Sequence, residues 1–93
     1  MKIAYDQAKR AWVLNERQLD MADVATVFDD FHLTRYDSNH SDVEDRYITV
    51  GTMREQVVLV VWTEREDERR IVTMWKANER ERELLRRERE RSG

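Results

Sequence analysis

Val57-Val58-Leu59-Val60-Val61-Trp62 is the most hydrophobic run of the sequence, and its reading decides the fold. The run is too short for a preferred helix, and four of its residues are β-branched valines, so it predicts a strand. Its apolar residues do not alternate with polar ones, which predicts a central strand covered on both faces. Toward the C-terminus, the polar turn Glu66-Asp67-Glu68 leads to a second strand. There Ile71, Thr73 and Trp75 alternate with Arg70, Val72 and Met74. By that parity Arg70 is expected to face the same layer as Val72 and Met74. Toward the N-terminus, Tyr47-Ile48-Thr49-Val50 predicts a strand ending at Gly51. Two hairpins make these three strands an antiparallel meander.

Further out, Phe31, Leu33 and Arg35 alternate with His32, Thr34 and Tyr36, which predicts a marginal strand before the polar loop of residues 37–42. Met21, Val24, Ala25 and Phe28 fall at i, i+3, i+4 and i+7, the core stripe of a helix that Asp20 can cap. Asp6 is a plausible cap for an earlier helix reaching about Arg17, with Ala8, Ala11, Trp12 and Asn15 on one face. Ile3 and Tyr5 mark a short opening strand. After Ala77 strong helix formers dominate, with Ala77, Leu84 and Leu85 as the only apolar docking points and 86–93 expected to fray. The favourable helical pairs are Glu83–Arg87 and Arg86–Glu90. The order β-α-α-β-β-β-β-α predicts an α+β domain, with a small antiparallel sheet, two N-terminal helices and a C-terminal helix.

Composition agrees with one domain over residues 1–93. There is no cysteine for a disulfide, no proline, and no apolar stretch long enough to span a bilayer. Met1–Arg10 has no signal-peptide pattern, so a cytoplasmic protein without membrane contact is expected. The net charge of −3 argues mildly against simple nucleic-acid binding, but it is unevenly divided. Asp20–Asp45 holds eight acids against one base, Arg35, whereas Lys76–Arg91 holds seven bases against five acids. Arginines make up 14 of the 17 bases, which suits phosphate or carboxylate forks.

Several segments together resemble the BrnT family of bacterial type II toxins, small ribonucleases with a RelE/ParE-like fold. They are Tyr5-Asp6-Gln7-Ala8-Lys9, Val27-Phe28-Asp29-Asp30, Asp37 with His40, Glu44-Asp45-Arg46 with Gly51, and Trp62-Thr63-Glu64-Arg65. Arg70-Ile71-Val72-Thr73-Met74-Trp75-Lys76-Ala77, followed by Glu81, is similar to the family's Arg-Ile-Ile-Ser-Ala-Arg-Lys-Ala and its following Glu. The resemblance covers about residues 1–85. Where the family commonly has Lys-His-Gly-Val, this chain reads Glu16-Arg17-Gln18-Leu19. Thr73-Met74-Trp75 stands for Ser-Ala-Arg, and Leu85 for a late tyrosine.

The resemblance implies an RNA substrate, a BrnA-type antitoxin partner, and DNA contact only through the toxin–antitoxin complex. Metal-independent RNA cleavage needs a base for the 2′-hydroxyl, cations for the phosphate charge and an acid for the leaving oxygen. The sequence has no phosphate loop or metal-ligand cluster, so no cofactor is expected. Lys9, Arg46, Arg70 and Lys76 are the candidate cations; Glu81, Glu44 and His40 are candidates for proton transfer. Arg17, His40 and Trp75 are candidate substrate contacts; Trp12 is a further ring able to stack on bases, whereas Trp62, within the apolar run, is expected in the core. Two other readings stay open: a toxin-fold binding module with impaired catalysis, and an acidic inhibitor or nucleic-acid mimic. Under the ribonuclease reading the four cations are expected to converge, with the acidic segment lying away from RNA or meeting a basic partner.

Overall fold

In the computed structural model of residues 1–93, the valine-rich run forms β4 (Gln56–Arg65), the middle strand of a five-stranded sheet. It is flanked by β3 (Tyr47–Met53) and β5 (Glu68–Lys76), with β2 (Leu33–Tyr36) and β1 (Lys2–Tyr5) at the edges, in the order β1-β5-β4-β3-β2. Helices α1 (Gln7–Arg17) and α2 (Ala25–Asp29) precede β2, and α3 (Glu79–Ser92) closes the chain. No helix is long and apolar enough to cross a membrane. β2 through β5 form the antiparallel meander, but β1 pairs parallel with β5, so the sheet is mixed rather than wholly antiparallel. The helical connection after β1 permits this, since a parallel pair needs a crossover instead of a tight turn.

Of the three connections in the meander, the two tight ones turn on two residues each, Arg54-Glu55 and Glu66-Asp67, all four with positive φ. This is the type I′ geometry whose twist matches the flanking strands, here adopted without glycine. Gly51 does not end β3, which continues to Met53. A Cβ at this position would meet Val27 Cγ1 at 2.7 Å and His32 Cβ at 3.2 Å, so glycine admits α2 to the sheet.

Val58, Val60 and Trp62 face the helical layer, where they pack with Val13, Met21, Val24, Val27 and Met74. Only Val13 of α1 is buried; Ala8, Ala11, Trp12 and Asn15 all face solvent. Lys9 and Arg17 stand four residues either side of Val13 and are half-buried, their stems lying along the same face. The second helical segment also departs from expectation. It begins as a 3₁₀ turn, Met21–Asp23, and its buried residues are Met21, Val24 and Val27, with Ala25 exposed and Phe28 half-buried. Three residues per turn place every third side chain on one line, so Val27 displaces Ala25 from the core stripe. Trp62 Nε1 donates to Thr49 Oγ1 at 2.8 Å, and Thr49 Oγ1 lies 2.7 Å from Thr34 Oγ1, satisfying the buried polar atoms across three strands.

On the opposite face the apolar cluster is smaller: Leu85 of α3 against Val50 and Leu59. Asn78 and Glu81 form a reciprocal capping box at the start of α3. The helix continues through the segment expected to fray, as far as Ser92. Arg86 bridges Glu83 and Glu90, and the Glu83–Arg87 pair does not form.

β5 carries the irregularity that matters most. Trp62 pairs with Ile71 and Val61 with Thr73, so Val72 is a bulge with no opposite residue. The bulge reverses the expected parity. Ile71 and Met74 both enter the helical layer, while Arg70, opposite Thr63, joins Thr73 and Trp75 on the other face. The reading that put Arg70 with Val72 and Met74 is thereby corrected.

Gly51→Ala is expected to destabilise the fold by about 1–3 kcal/mol, because backbone and buried side chains must shift to admit the methyl group. Guanidinium denaturation measures this, and an unchanged midpoint would show that the sheet and α2 can separate freely. A second prediction concerns the Arg10–Asp20 ion pair (2.7 Å), which ties α1 to the 3₁₀ turn. The hydrogen bond from Arg10, with that from the Ala22 amide, lowers the Asp20 pKa to about 2. A depressed carboxylate pKa contributes stability that is full above the ordinary carboxylate range and is lost as pH falls through the folded value. Asp20→Asn keeps a capping oxygen but removes the charge. Its stability deficit against wild type is expected to be full at pH 6 and to shrink as pH falls toward 2.

Candidate functional site

The sheet face opposite α1 and α2 is covered by α3 at one end only, and a cleft of about 330 Å³ opens beside the covered part. Its floor is Ile48, Val61 and Thr73, with Trp75 as one wall. Arg35 reaches it from β2, Arg46 from the residue before β3, and Asp37, Asn39 and His40 from the polar loop. The volume falls within the range of ordinary ligand clefts.

The loop is held by its own hydrogen bonds. The Asp37 amide donates to the Arg46 carbonyl at 2.8 Å, Ser41 Oγ donates to the Asp37 carbonyl at 2.6 Å, and the Arg46 amide donates to Ser41 Oγ at 2.9 Å. These bonds bring Arg46 back alongside residues 37–41. The Asp37 carboxylate is buried and accepts from His40 Nδ1 at 3.0 Å and from the Asn39 amide at 3.3 Å. With a carboxylate as its partner, Nδ1 is the donor, so a neutral His40 keeps Nε2 as a free proton acceptor. The His40 side chain remains 69% exposed, which leaves that nitrogen reachable.

Arg35 and Arg46 appear in none of the chain's ion pairs, whereas Arg10, Arg54, Arg65 and Arg86 are each engaged by a carboxylate. Two guanidinium groups without protein acceptors in one cleft suit a doubly coordinated phosphate. Arg17 stands behind the Thr73 side of the cleft. β1 pairs with β5 only as far as Ile71, leaving the next part of that edge open. Arg17 Nη1 occupies it, donating to Thr73 Oγ1 at 3.0 Å and to the Met74 carbonyl at 2.8 Å. Its Cζ lies 5.8 Å from the Trp75 ring.

Of the residues singled out from sequence, Arg46, His40 and Trp75 therefore line one cleft, and Arg17 joins them through Thr73. The four cations expected to converge do not share this cleft. Lys9 lies over the Trp12 ring at 4.7 Å. Arg70 is on the same sheet face as Thr73 but borders a shallow depression with Ala4 and Arg65. Lys76 is exposed at the end of β5, opposite Val58, on the other side of the strand from Trp75. The Glu81 carboxylate accepts from the Asn78 amide at 2.8 Å and borders the neighbouring groove beyond Arg35. Glu44 is paired with Arg65 at 2.7 Å, and Trp62 is core.

Sequence reasoning passed over Arg35, whose signal was its place as the one base in the acidic stretch. That stretch does not lie wholly away from the cleft, because Asp37 is built into it. Its other acids are dispersed: Asp20 and Asp23 bind Arg10 and Arg54, and Asp30 lies 3.7 Å from Arg89. No three His, Cys, Asp or Glu side chains gather anywhere as a metal-ligand set.

Residues 5–81 match the family model described as the ribonuclease toxin, BrnT, of a type II toxin-antitoxin system. The matched span includes every residue of the cleft. No curated protein matches the chain.

Proposed function

The chain belongs to the BrnT family of ribonuclease toxins of type II toxin–antitoxin systems, and from that premise we propose that its cleft cleaves RNA without a metal ion. The observation that carries the assignment is the Asp37-held His40 beside two unpaired arginines, Arg35 and Arg46. His40 Nε2 takes the proton of a ribose 2′-hydroxyl, whose oxygen attacks the adjacent phosphorus. Arg35 and Arg46 stabilise the charge gathering on the phosphoryl oxygens. The bond from phosphorus to the 5′-oxygen breaks, and that oxygen leaves as a hydroxyl after taking a proton from water in the open cleft. A 2′,3′-cyclic phosphate remains on the other fragment. Asp37 positions the imidazole and stabilises the imidazolium formed when His40 is protonated.

The departures from the family signature bear on catalytic competence, and their arrangement supports retention. The arginine missing at Trp75 and the arginine gained at Arg17 belong to one cluster, since Arg17 touches Thr73 and faces the Trp75 ring. A cation is thus returned to the neighbourhood of β5 from α1. This favours an active enzyme over an impaired binding module. The dispersal of the acids among separate ion pairs, with Asp37 buried, argues against a nucleic-acid mimic, which needs one continuous anionic face.

The biological reading follows: RNA cleavage inhibits translation in the cytoplasm, a BrnA-type antitoxin neutralises it, and DNA is met only through that complex. Purified protein is expected to cut RNA in the presence of EDTA, leaving 5′-hydroxyl and 2′,3′-cyclic phosphate ends. His40→Ala is expected to slow cleavage by roughly 10²–10⁴-fold, and Arg46→Ala by about 10²–10³-fold. Wild-type rates from His40→Ala would remove the base from the mechanism. In cells, induction is expected to arrest growth and degrade RNA, with Arg46→Ala relieving both. Intact RNA and unimpeded translation after induction of folded wild-type protein would sink the toxin reading.

A further inference from the structure

Trp12 is 47% exposed on α1, although indole is among the side chains that gain most from burial. Two cations attend it: Lys9 Nζ lies 4.7 Å and Arg17 Cζ 4.9 Å from its ring. Arg17 is the fixed member. Its Nη1 makes both bonds to β5, while Nε and Nη2 have no protein acceptor. The same guanidinium lies 5.8 Å from Trp75, the wall of the cleft. The side chains Lys9, Trp12, Arg17 and Trp75 therefore form a continuous cation–aromatic track, leading from the helix surface over the open edge of β5 into the cleft.

We propose that this track is a second subsite for single-stranded RNA, in which Trp12 stacks on the base of a nucleotide flanking the cleaved linkage while Lys9 and Arg17 hold its phosphates. The inference rests on the ribonuclease reading of the cleft and extends it. Stacking on an exposed ring beside phosphate-binding cations is the general chemistry of single-strand recognition, and it tolerates any base. A protein partner is the less suitable occupant. The exposed residues around Trp12 are Ala8, Ala11, Asn15 and Glu16, too small or too polar to make an apolar anchor site.

The test compares non-cleavable 2′-O-methyl oligoribonucleotides of three and eight residues, binding to the wild-type chain and to Trp12→Ala and Trp12→Phe. Wild type is expected to bind the longer oligonucleotide roughly 5- to 150-fold more tightly, the contribution of one stacked base. Trp12→Ala is expected to lose most of that length-dependent gain and Trp12→Phe to keep most of it. Circular dichroism and thermal melting confirm that each variant is folded. An unchanged gain in Trp12→Ala, or no gain in wild type, overturns the subsite while leaving the cleft's ribonuclease reading standing. Absence of binding at either length overturns both. A Trp12→Ala chain that keeps the gain but loses antitoxin binding would assign the face to the protein partner and overturn the RNA subsite.

Discussion

A single unpaired residue, Val72, sets the two faces of β5 and with them the chemistry of the molecule. Strict alternation from Ile71 would send Thr73 and Trp75 into the helical core and turn Met74 outward. The bulge sends Met74 inward, where it is fully buried, and turns Thr73 and Trp75 to the cleft. Interrupting the ladder costs on the order of 0.5–1.5 kcal/mol for a lost hydrogen bond, against about 1.5–3 kcal/mol for burying a methionine side chain. Packing wins, and the wall of the site follows from it. Arg69, two residues before Ile71 and on the same helical side, holds its guanidinium 3.7 Å from the Phe28 ring and 4.5 Å from the Trp62 ring. Burial there lowers its pKa, and the aromatic faces stand in for the carboxylate that other arginines of the chain have.

The cleft depends next on a buried charge. Asp37 lies where water is nearly excluded, a position that costs several kcal/mol unless hydrogen bonds compensate. His40 and the Asn39 amide satisfy its carboxylate, while its backbone groups bind the Arg46 carbonyl and Ser41 Oγ. A loop with no regular secondary structure is thereby fixed well enough to hold an imidazole and a guanidinium beside a β-sheet floor. Arg10, Arg54, Arg65 and Arg86 are engaged by carboxylates; Arg35 and Arg46 are not, and of the arginines without a carboxylate partner these two line the cleft.

Several residues that line the cleft could be named from the sequence, but their assembly could not. His40, Arg46 and Trp75 could be named from residue type and family resemblance, because those residues carry suitable chemistry wherever they lie. Arg35 looked like a lone base in an acidic stretch. Its place in the cleft depends on β2 pairing with β3, a contact between segments separated by the whole polar loop. Lys9 and Lys76 have the right charge, yet helix and strand geometry leave both outside the cleft. The helical periodicity of residues 21–28 also misled, since a local 3₁₀ turn shifted burial from Ala25 to Val27.

By itself the sequence determined the order of elements, the central placement of the valine strand and the meander around it. These follow from β-branching, hydrophobic period and turn chemistry, all of which act over a few residues. Only the tertiary structure decided that β1 would lie parallel to β5, that Val72 would bulge, and that Arg17 would cross the open edge to reach Thr73 and Met74. Each of these outcomes reflects competition between distant segments for one buried face or one unsatisfied carbonyl. No local window contains both competitors.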